Sequence, residues 1–168
     1  MNPGNLHPDS HTAEEVVRLL DLRPLEPEGG FFRRSAEDRA FASGGDRRAY
    51  SVIYYLVTPS GFSEMHKLDA DETWCFHAGD VLESLRLEPG GGGRVVKLGL
   101  NFAAGEAPQD VVAAGVWQGT RLRDGGRWAL VSCIVAPEFR WSGFALGGRV
   151  ELTARYPDFA QEIGRLTR

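Results

Sequence analysis

The sequence lacks several features that would assign it to a class at once. Its 168 residues carry 19 basic and 23 acidic side chains, a net charge of -4, so the basic excess that nucleic-acid binding needs is missing. No apolar run approaches the roughly 20 residues that span a bilayer, and the polar residues 1–11 show no signal-peptide pattern. The only two cysteines, Cys75 and Cys133, are too few for a disulfide framework. We therefore expect a cytoplasmic protein with neither nucleic acid nor membrane as partner.

Turn-forming residues, in contrast, are plentiful. With 21 glycines and 9 prolines, the chain is interrupted about every ten residues by turn signals such as 79–80, 89–93 and 124–126. Apolar and β-branched segments between them predict strands at 50–57, 72–77, 81–87, 94–100, 116–122 and 128–135. Many short, evenly spaced strands are typical of an all-β sandwich or barrel.

Short helices are predicted at both ends of the chain. Thr12 and Glu15 form a capping-box pattern before a helical apolar spacing. Near the other end, Asp158 is expected to cap a last helix, and residues 149–156 could form a further helical turn.

The segment 61–80 holds the candidate chemistry. A His and a Glu on neighbouring strands of a small barrel can both point inward, because inward positions alternate along a strand. If Glu72 faces inward, so do Trp74 and Phe76, while His77 faces outward. One imidazole, one carboxylate and aromatic walls predict a pocket for a small organic ligand.

Within this segment, Gly61, His66, Glu72 and Gly79 match the first motif of the cupin superfamily, with one residue fewer after the first glycine, and residues 113–118 align with the second motif. The chain most closely resembles the Cupin 5 subfamily, formerly a domain of unknown function whose yeast and bacterial members are largely uncharacterised. The matching phrases extend over roughly residues 15–157 and comprise Pro27-Glu-Gly-Gly-Phe31, Ser63-Glu-Met-His66-Lys, Asp71-Glu-Thr-Trp74, His77-Ala-Gly-Asp80, Ala114-Gly-Val-Trp-Gln118 and Val135-Ala-Pro-Glu-Phe139.

The resemblance implies a cupin-type double-stranded β-helix, a jelly-roll barrel with short N- and C-terminal helices. We expect one cupin domain over residues 1–168, with the barrel at roughly 27–148 and residues 1–11 flexible. Cupin relatives commonly pair through their N-terminal strands, so a homodimer in which residues 29–34 cross to the partner is also expected.

Two departures from the cupin motifs bear on metal binding. Leu68 and Gln118 stand where the superfamily has imidazole ligands, which leaves His66 and Glu72. One imidazole, one carboxylate and one amide make a poor set for iron, nickel or zinc. We therefore expect no cofactor; a metal, if present, would use His66, Glu72 and Gln118.

Three functions remain open. The first is metal-independent acid–base chemistry on a small polar or sugar-nucleotide-like substrate, by analogy with the sugar-nucleotide epimerases that share cupin-like (RmlC-like) barrels. His66 and Glu72 would be the catalytic pair, and the ligand contacts would be Tyr54, Trp74, Phe76 and Gln118. The second is a non-catalytic module that binds a metabolite. The third and weaker alternative is a metal-dependent oxygenase.

Overall fold

The computed structural model describes residues 5–38 and 45–168. Within these ranges the chain forms two antiparallel sheets, in the strand orders β1-β2-β3-β10-β5-β8 and β11-β4-β9-β6-β7. The first sheet contains β1 (Arg23–Pro24), β2 (Phe31–Glu37), β3 (Ser51–Val57), β5 (Asp71–Gly79), β8 (Gln109–Val112) and β10 (Ala129–Ala136). The second contains β4 (Ser63–Leu68), β6 (Leu82–Leu87), β7 (Gly93–Leu98), β9 (Trp117–Leu122) and β11 (Phe144–Leu146). The predicted all-β architecture is confirmed, and all six predicted strands are present with small shifts of their ends.

The two sheets enclose the main core. Alternate residues of both sheets meet between them, for example Tyr55 and Val131 of the first sheet and Leu82 and Leu122 of the second. This alternation is what a two-sheet packing requires, since successive side chains of a strand point to opposite faces. Polar residues that occupy inward positions therefore lie between the sheets.

In the described part of the chain, three α-helices cover outer faces of the sheets. The first, α1 (Ala13–Leu19), has the predicted capping box between Thr12 and Glu15 and packs on one end of the first sheet. The others, α2 (Arg149–Arg155) and α3 (Ala160–Arg165), pack on the second sheet.

The expectation that Asp158 caps the last helix is wrong. Pro157 begins a separate 3₁₀ turn, Pro157–Phe159, so Asp158 lies inside that turn and Phe159 occupies the position before α3. Proline suits the start of such a turn because its fixed φ is already helical and it has no amide hydrogen to leave unpaired.

The first eleven residues are partly anchored. Residues 1–4 lie outside the described part of the chain, but the carbonyls of Pro8 and His11 accept hydrogen bonds from Arg127 and Trp128. This segment therefore contacts the residues just before β10. Across residues 5–38 and 45–168, no helix has the length and apolar character needed to cross a membrane.

Candidate functional site

A cavity of about 380 Å³ lies between the two sheets, near one end of the barrel. Both sheets and two loops contribute to its wall. Its polar lining residues are Glu28, Arg34, Ser51, Tyr55, His66, Glu72, Cys133 and Arg140, and its apolar ones are Leu25, Phe32, Ile53, Leu68, Val135, Phe139 and Trp141. This size lies within the range of small-molecule sites, and the mixture of apolar walls with a few convergent polar groups is typical of them.

A row of three polar residues crosses the inner face of the second sheet. His66 on β4 pairs with Gln118 on β9, which pairs with Arg86 on β6. All three side chains are buried. They face Glu72 and Trp74, which point inward from β5 of the opposite sheet. His66 and Glu72 therefore belong to consecutive strands, as predicted, but these strands lie in facing sheets and are not hydrogen-bonded neighbours.

An irregularity in β4 sets the orientation of His66. Ser63 and His66 are three residues apart and would point to opposite faces of a regular strand, but the register against β9 shifts between them. A bulge of this kind re-aims side chains, and here both residues are buried on the inner side. Within the bulge, the Glu64 carbonyl lies 2.7 Å from His66 Nδ1. Because a carbonyl only accepts, Nδ1 carries the hydrogen and Nε2 of the neutral ring is left as the proton acceptor.

A glycine turn delivers a second carboxyl group, that of Glu28. The turn is held by hydrogen bonds from Glu64 N to Glu28 O (2.9 Å) and from the Tyr55 hydroxyl to Gly29 O (2.8 Å). Gly29 and Gly30 both have positive φ, and a Cβ on them would lie 2.2 Å from the Phe62 carbonyl and 2.6 Å from the Tyr55 hydroxyl. Only glycine fits such a turn. As a result, Glu28 enters the cavity, where Ser63 donates a hydrogen bond of 2.7 Å to Oε1.

Burial displaces the pKa values of Glu28, Glu72 and His66 at the cavity floor. It raises the pKa of Glu28 to about 7, against the opposing effect of the Ser63 and Tyr55 hydroxyls. Burial also raises the pKa of Glu72, a change that the nearby His66 partly offsets. It lowers the pKa of His66, although Glu72 acts in the opposite direction. At neutral pH, therefore, His66 is neutral and Glu28 is close to half protonated.

The amide of Gln118 is fixed by its neighbours. Its Oε1 accepts from Trp74 Nε1 at 3.0 Å and from Arg86 Nη1 at 3.3 Å, so its Nε2 must face Glu72, to which it donates at 2.7 Å. Arg86 is also paired with Asp110 at 3.0 Å. Among the buried side-chain nitrogen and oxygen atoms of the described residues, Arg86 Nη2 alone lacks a hydrogen-bond partner.

The cavity mouth combines aromatic and cationic groups. Phe139, Trp141 and Phe144 form mutual edge-to-face contacts with ring centroids 5.0 to 6.2 Å apart, and Phe144 stacks on His66 at 5.2 Å. Trp141 is 52% exposed. Arg34 is paired with Glu37, and Arg140 with Asp46 and Glu138.

The structure brings some predicted site residues together and separates others. Trp74 and Gln118 lie behind the cavity wall: Gln118 donates a hydrogen bond to Glu72, and Trp74 donates one to Gln118. Phe76 packs against the inter-sheet core. His77 is on the outer face, as expected. Tyr54 was expected to contact the ligand, but its ring does not line the cavity. It lies on the outer face of β3, 6.5 Å from the ring of His77.

Residues that sequence reasoning missed complete the site. Tyr55, the next residue along β3, lines the cavity in place of Tyr54, together with Glu28 and Cys133. Arg86 supports it from behind. The signal for Glu28 was the Pro27-Glu-Gly-Gly pattern itself, because paired glycines mark a turn that only they can adopt.

These side chains do not suit a transition metal. Leu68 offers no donor atom at its position, and the carbonyl oxygen of Gln118 is already occupied by two N–H donors. The buried guanidinium of Arg86, which donates a hydrogen bond to Gln118, would also repel a cation bound there. Over residues 5–38 and 45–168, no three His, Cys, Asp or Glu side chains are arranged to hold a metal ion.

Two solved structures are similar to this chain in both sequence and fold. A Shewanella oneidensis protein is 35% identical with a TM-score of 0.86, and the alignment covers 94% of this chain and 98% of that one. A hypothetical protein from Leishmania major is 32% identical with a TM-score of 0.84, covering 94% and 99%. Among proteins with curated descriptions, none matches significantly.

More distant structures agree on the fold alone. A cupin 2 domain-containing protein from Halorhodospira halophila is 16% identical over 86% of both chains, with a TM-score of 0.56. Oxalate decarboxylase from Bacillus subtilis is 13% identical with a TM-score of 0.55, over 87% of this chain and 37% of that one. These likenesses confirm the predicted jelly roll. The family model Cupin_5, Cupin superfamily (DUF985), matches residues 14–147, and the chain therefore belongs to this family of cupins.

Proposed function

We propose that the protein binds a small polar organic molecule in its cavity and moves a proton on that molecule without a metal, as an isomerase or epimerase does. The observation that carries this proposal is the arrangement at His66. Its Nδ1 is held by the Glu64 carbonyl at 2.7 Å, and its ring shares one cavity with two carboxyl groups.

The environment of His66 suits a general base. Burial lowers the pKa of the imidazole, which keeps it neutral at pH 7, and the fixed Nδ1–H directs proton acceptance to Nε2. Glu72 stabilises the imidazolium that forms when the ring takes up a proton, because a carboxylate nearby raises the pKa of the imidazole.

The cavity favours a ligand with oxygen functions at one end. Glu28, Tyr55, His66 and Glu72 can hydrogen-bond hydroxyl or carbonyl groups at the floor. At the mouth, the half-exposed Trp141 offers a flat surface for a ring. A sugar or a related hydroxy-carbonyl compound meets both conditions. Such compounds have an acidic C–H group next to a carbonyl, from which a general base can remove the proton.

The test uses thermal shift followed by isotope exchange. Dihydroxyacetone, glyceraldehyde, their phosphate esters, ribose and fructose are screened as probes, since a bound compound raises the melting temperature. Compounds that shift it are then incubated with the protein in D₂O, and deuterium incorporation is measured by mass spectrometry. His66→Ala should abolish exchange, whereas His77→Ala, which removes an exposed imidazole on the outer face, should not.

A non-catalytic binding module is the second candidate. Restricted access to His66 favours this candidate, because its ring is only 2% exposed and is stacked against Phe144. This function predicts thermal shifts that depend on the cavity residues but no deuterium incorporation by the unmodified protein.

A further inference from the structure

The cavity floor contains two carboxyl groups whose partners differ in kind. Both residues are buried, Glu28 to 8% exposure and Glu72 to 6%. A carboxyl that exchanges protons must be hydrogen-bonded in both of its protonation states, because a buried donor or acceptor without a partner is costly. The partners therefore indicate which of the two groups can change state.

The hydrogen-bond partner of Glu72 Oε2 can only donate. Gln118 Nε2 lies 2.7 Å from Glu72 Oε2. The amide cannot turn over, since Trp74 and Arg86 both donate to its oxygen. A proton on that carboxylate oxygen would point at an N–H group with no lone pair to receive it. This arrangement holds Glu72 Oε2 as a hydrogen-bond acceptor.

Glu28 faces a partner that can reverse its role. The Ser63 hydroxyl donates to Glu28 Oε1 at 2.7 Å, and by rotating about its C–O bond it can instead accept a proton from a neutral Glu28. The glycine turn fixes the backbone of Glu28 through the contacts of Gly29 and Gly30. The side chain therefore stays at the same place in the cavity in both states.

We infer that Glu28 is the carboxyl that exchanges a proton with the bound molecule, while Glu72 remains a fixed acceptor that steadies His66. The inference rests on the proposed function and assigns its second proton-transfer group. In the first step His66 Nε2 takes the proton of the C–H bond next to the carbonyl. The electron pair of that bond forms the C=C bond of an enol, and the carbonyl oxygen receives the proton of Glu28. The reverse transfers at the same or the adjacent carbon regenerate both residues, and no oxidant is needed.

The electrostatic surroundings of Glu28 are consistent with this role. The titratable and charged groups that share its cavity are Tyr55, His66, Glu72, Cys133, Arg34 and Arg140. Among them, His66 Nδ1 lies 4.0 Å from Glu28 Oε1. Burial leaves the pKa of Glu28 at about 7, where an acid both gives and takes protons readily.

A titration of the free protein tests the assignment without a ligand. The protein is labelled with ¹³C at the glutamate side-chain carboxyl, and its NMR spectrum is followed from acid to alkaline pH. We expect one carboxyl resonance to titrate near neutral pH in the unmodified protein and in Glu72→Gln, and to be missing in Glu28→Gln. Ser63→Ala should move this titration to higher pH, since it removes a hydrogen bond to the anion. A neutral titration that persists in Glu28→Gln would overturn the inference.

Isotope exchange separates this inference from the proposed function. With a probe that exchanges deuterium, Glu28→Gln should lower the rate by about a hundredfold or more while the probe still raises the melting temperature. Full exchange by Glu28→Gln, together with loss in His66→Ala, would overturn the role of Glu28 and leave the proposed function standing. Absence of exchange in the unmodified protein would overturn both, whatever the titration shows.

Discussion

The replacement Glu28→Gln should make the protein more stable at alkaline pH. Below pH 4.5 the carboxyl is protonated in the folded and the unfolded chain, so ionisation costs nothing. Above pH 7 it is ionised in both, and the folded state bears the cost of burying the charge. Because the folded pKa is raised from 4.5 to about 7, stability falls as pH rises through this window.

The size of the effect follows from the pKa. One pKa unit corresponds to about 1.4 kcal/mol, so the raised pKa of Glu28 costs the folded state about 3 kcal/mol at pH 8 and under 1 kcal/mol at pH 5. Glutamine keeps the shape and loses the charge. We therefore expect Glu28→Gln to gain about 2 to 3 kcal/mol relative to the unmodified protein between pH 5 and pH 8. Glu28 also raises the pKa of Glu72. Removing the charge of Glu28 therefore makes Glu72 easier to ionise in the folded state, which adds to the gain in stability at higher pH.

Urea unfolding at the two pH values measures this difference. Opposing effects, such as the lowered pKa of His66 that makes stability rise with pH, are present in both proteins and largely cancel. Glu26→Gln, an exposed change two residues away, serves as the control and should show no such gain. If the stability difference between Glu28→Gln and the unmodified protein is the same at pH 5 and pH 8, the carboxyl does not ionise in a buried setting, and the reasoning is refuted.

Three further predictions concern the supporting network, the metal and the assembly. Gln118→Leu should lower the unfolding free energy by about 3 kcal/mol or more, since it leaves hydrogen-bonding groups of Trp74, Arg86 and Glu72 unpaired. Gln109→Leu, at an exposed position, is the matched control. Equal losses of stability in the two variants would contradict the network. Elemental analysis of protein purified without added metal should find far less than one transition-metal ion per chain, because the donor set is incomplete, whereas one ion per chain that disappears in His66→Ala would reverse this. Light scattering at micromolar concentration should give twice the chain mass of 18.4 kDa, because the first sheet ends in the edge strands β1 and β8 and a strand edge can pair with another chain. A single chain mass would exclude the homodimer.

The sequence predicts the face of a residue well where a strand is regular and buried on one side. The inward positions of Glu72 and Trp74 on β5 follow from simple alternation. On β3 the same reasoning fails. That strand is covered on its inner side by the opposite sheet and on its outer side by α1, so both faces are apolar, and the pattern does not distinguish Tyr54 from Tyr55.

Two parts of the site depend on contacts that are distant in sequence. The bulge between Ser63 and His66 is defined by pairing with β9, more than fifty residues away. The path of Glu28 into the cavity is set by the Phe62 carbonyl and the Tyr55 ring, which leave no room for a side chain on Gly29 or Gly30. The local sequence indicates a turn there, but only the packed barrel determines that the carboxyl faces inward.

The ¹⁵N spectrum of the His66 ring tests the central claim, that a neutral imidazole with Nδ1–H lies beside the two carboxyl groups. Long-range ¹H–¹⁵N NMR at pH 7 distinguishes the two neutral tautomers from the imidazolium, and His66→Ala assigns the signal. The account predicts a protonated Nδ1, bonded to the Glu64 carbonyl, and an unprotonated Nε2. An imidazolium at pH 7, or a neutral ring protonated at Nε2, would contradict it.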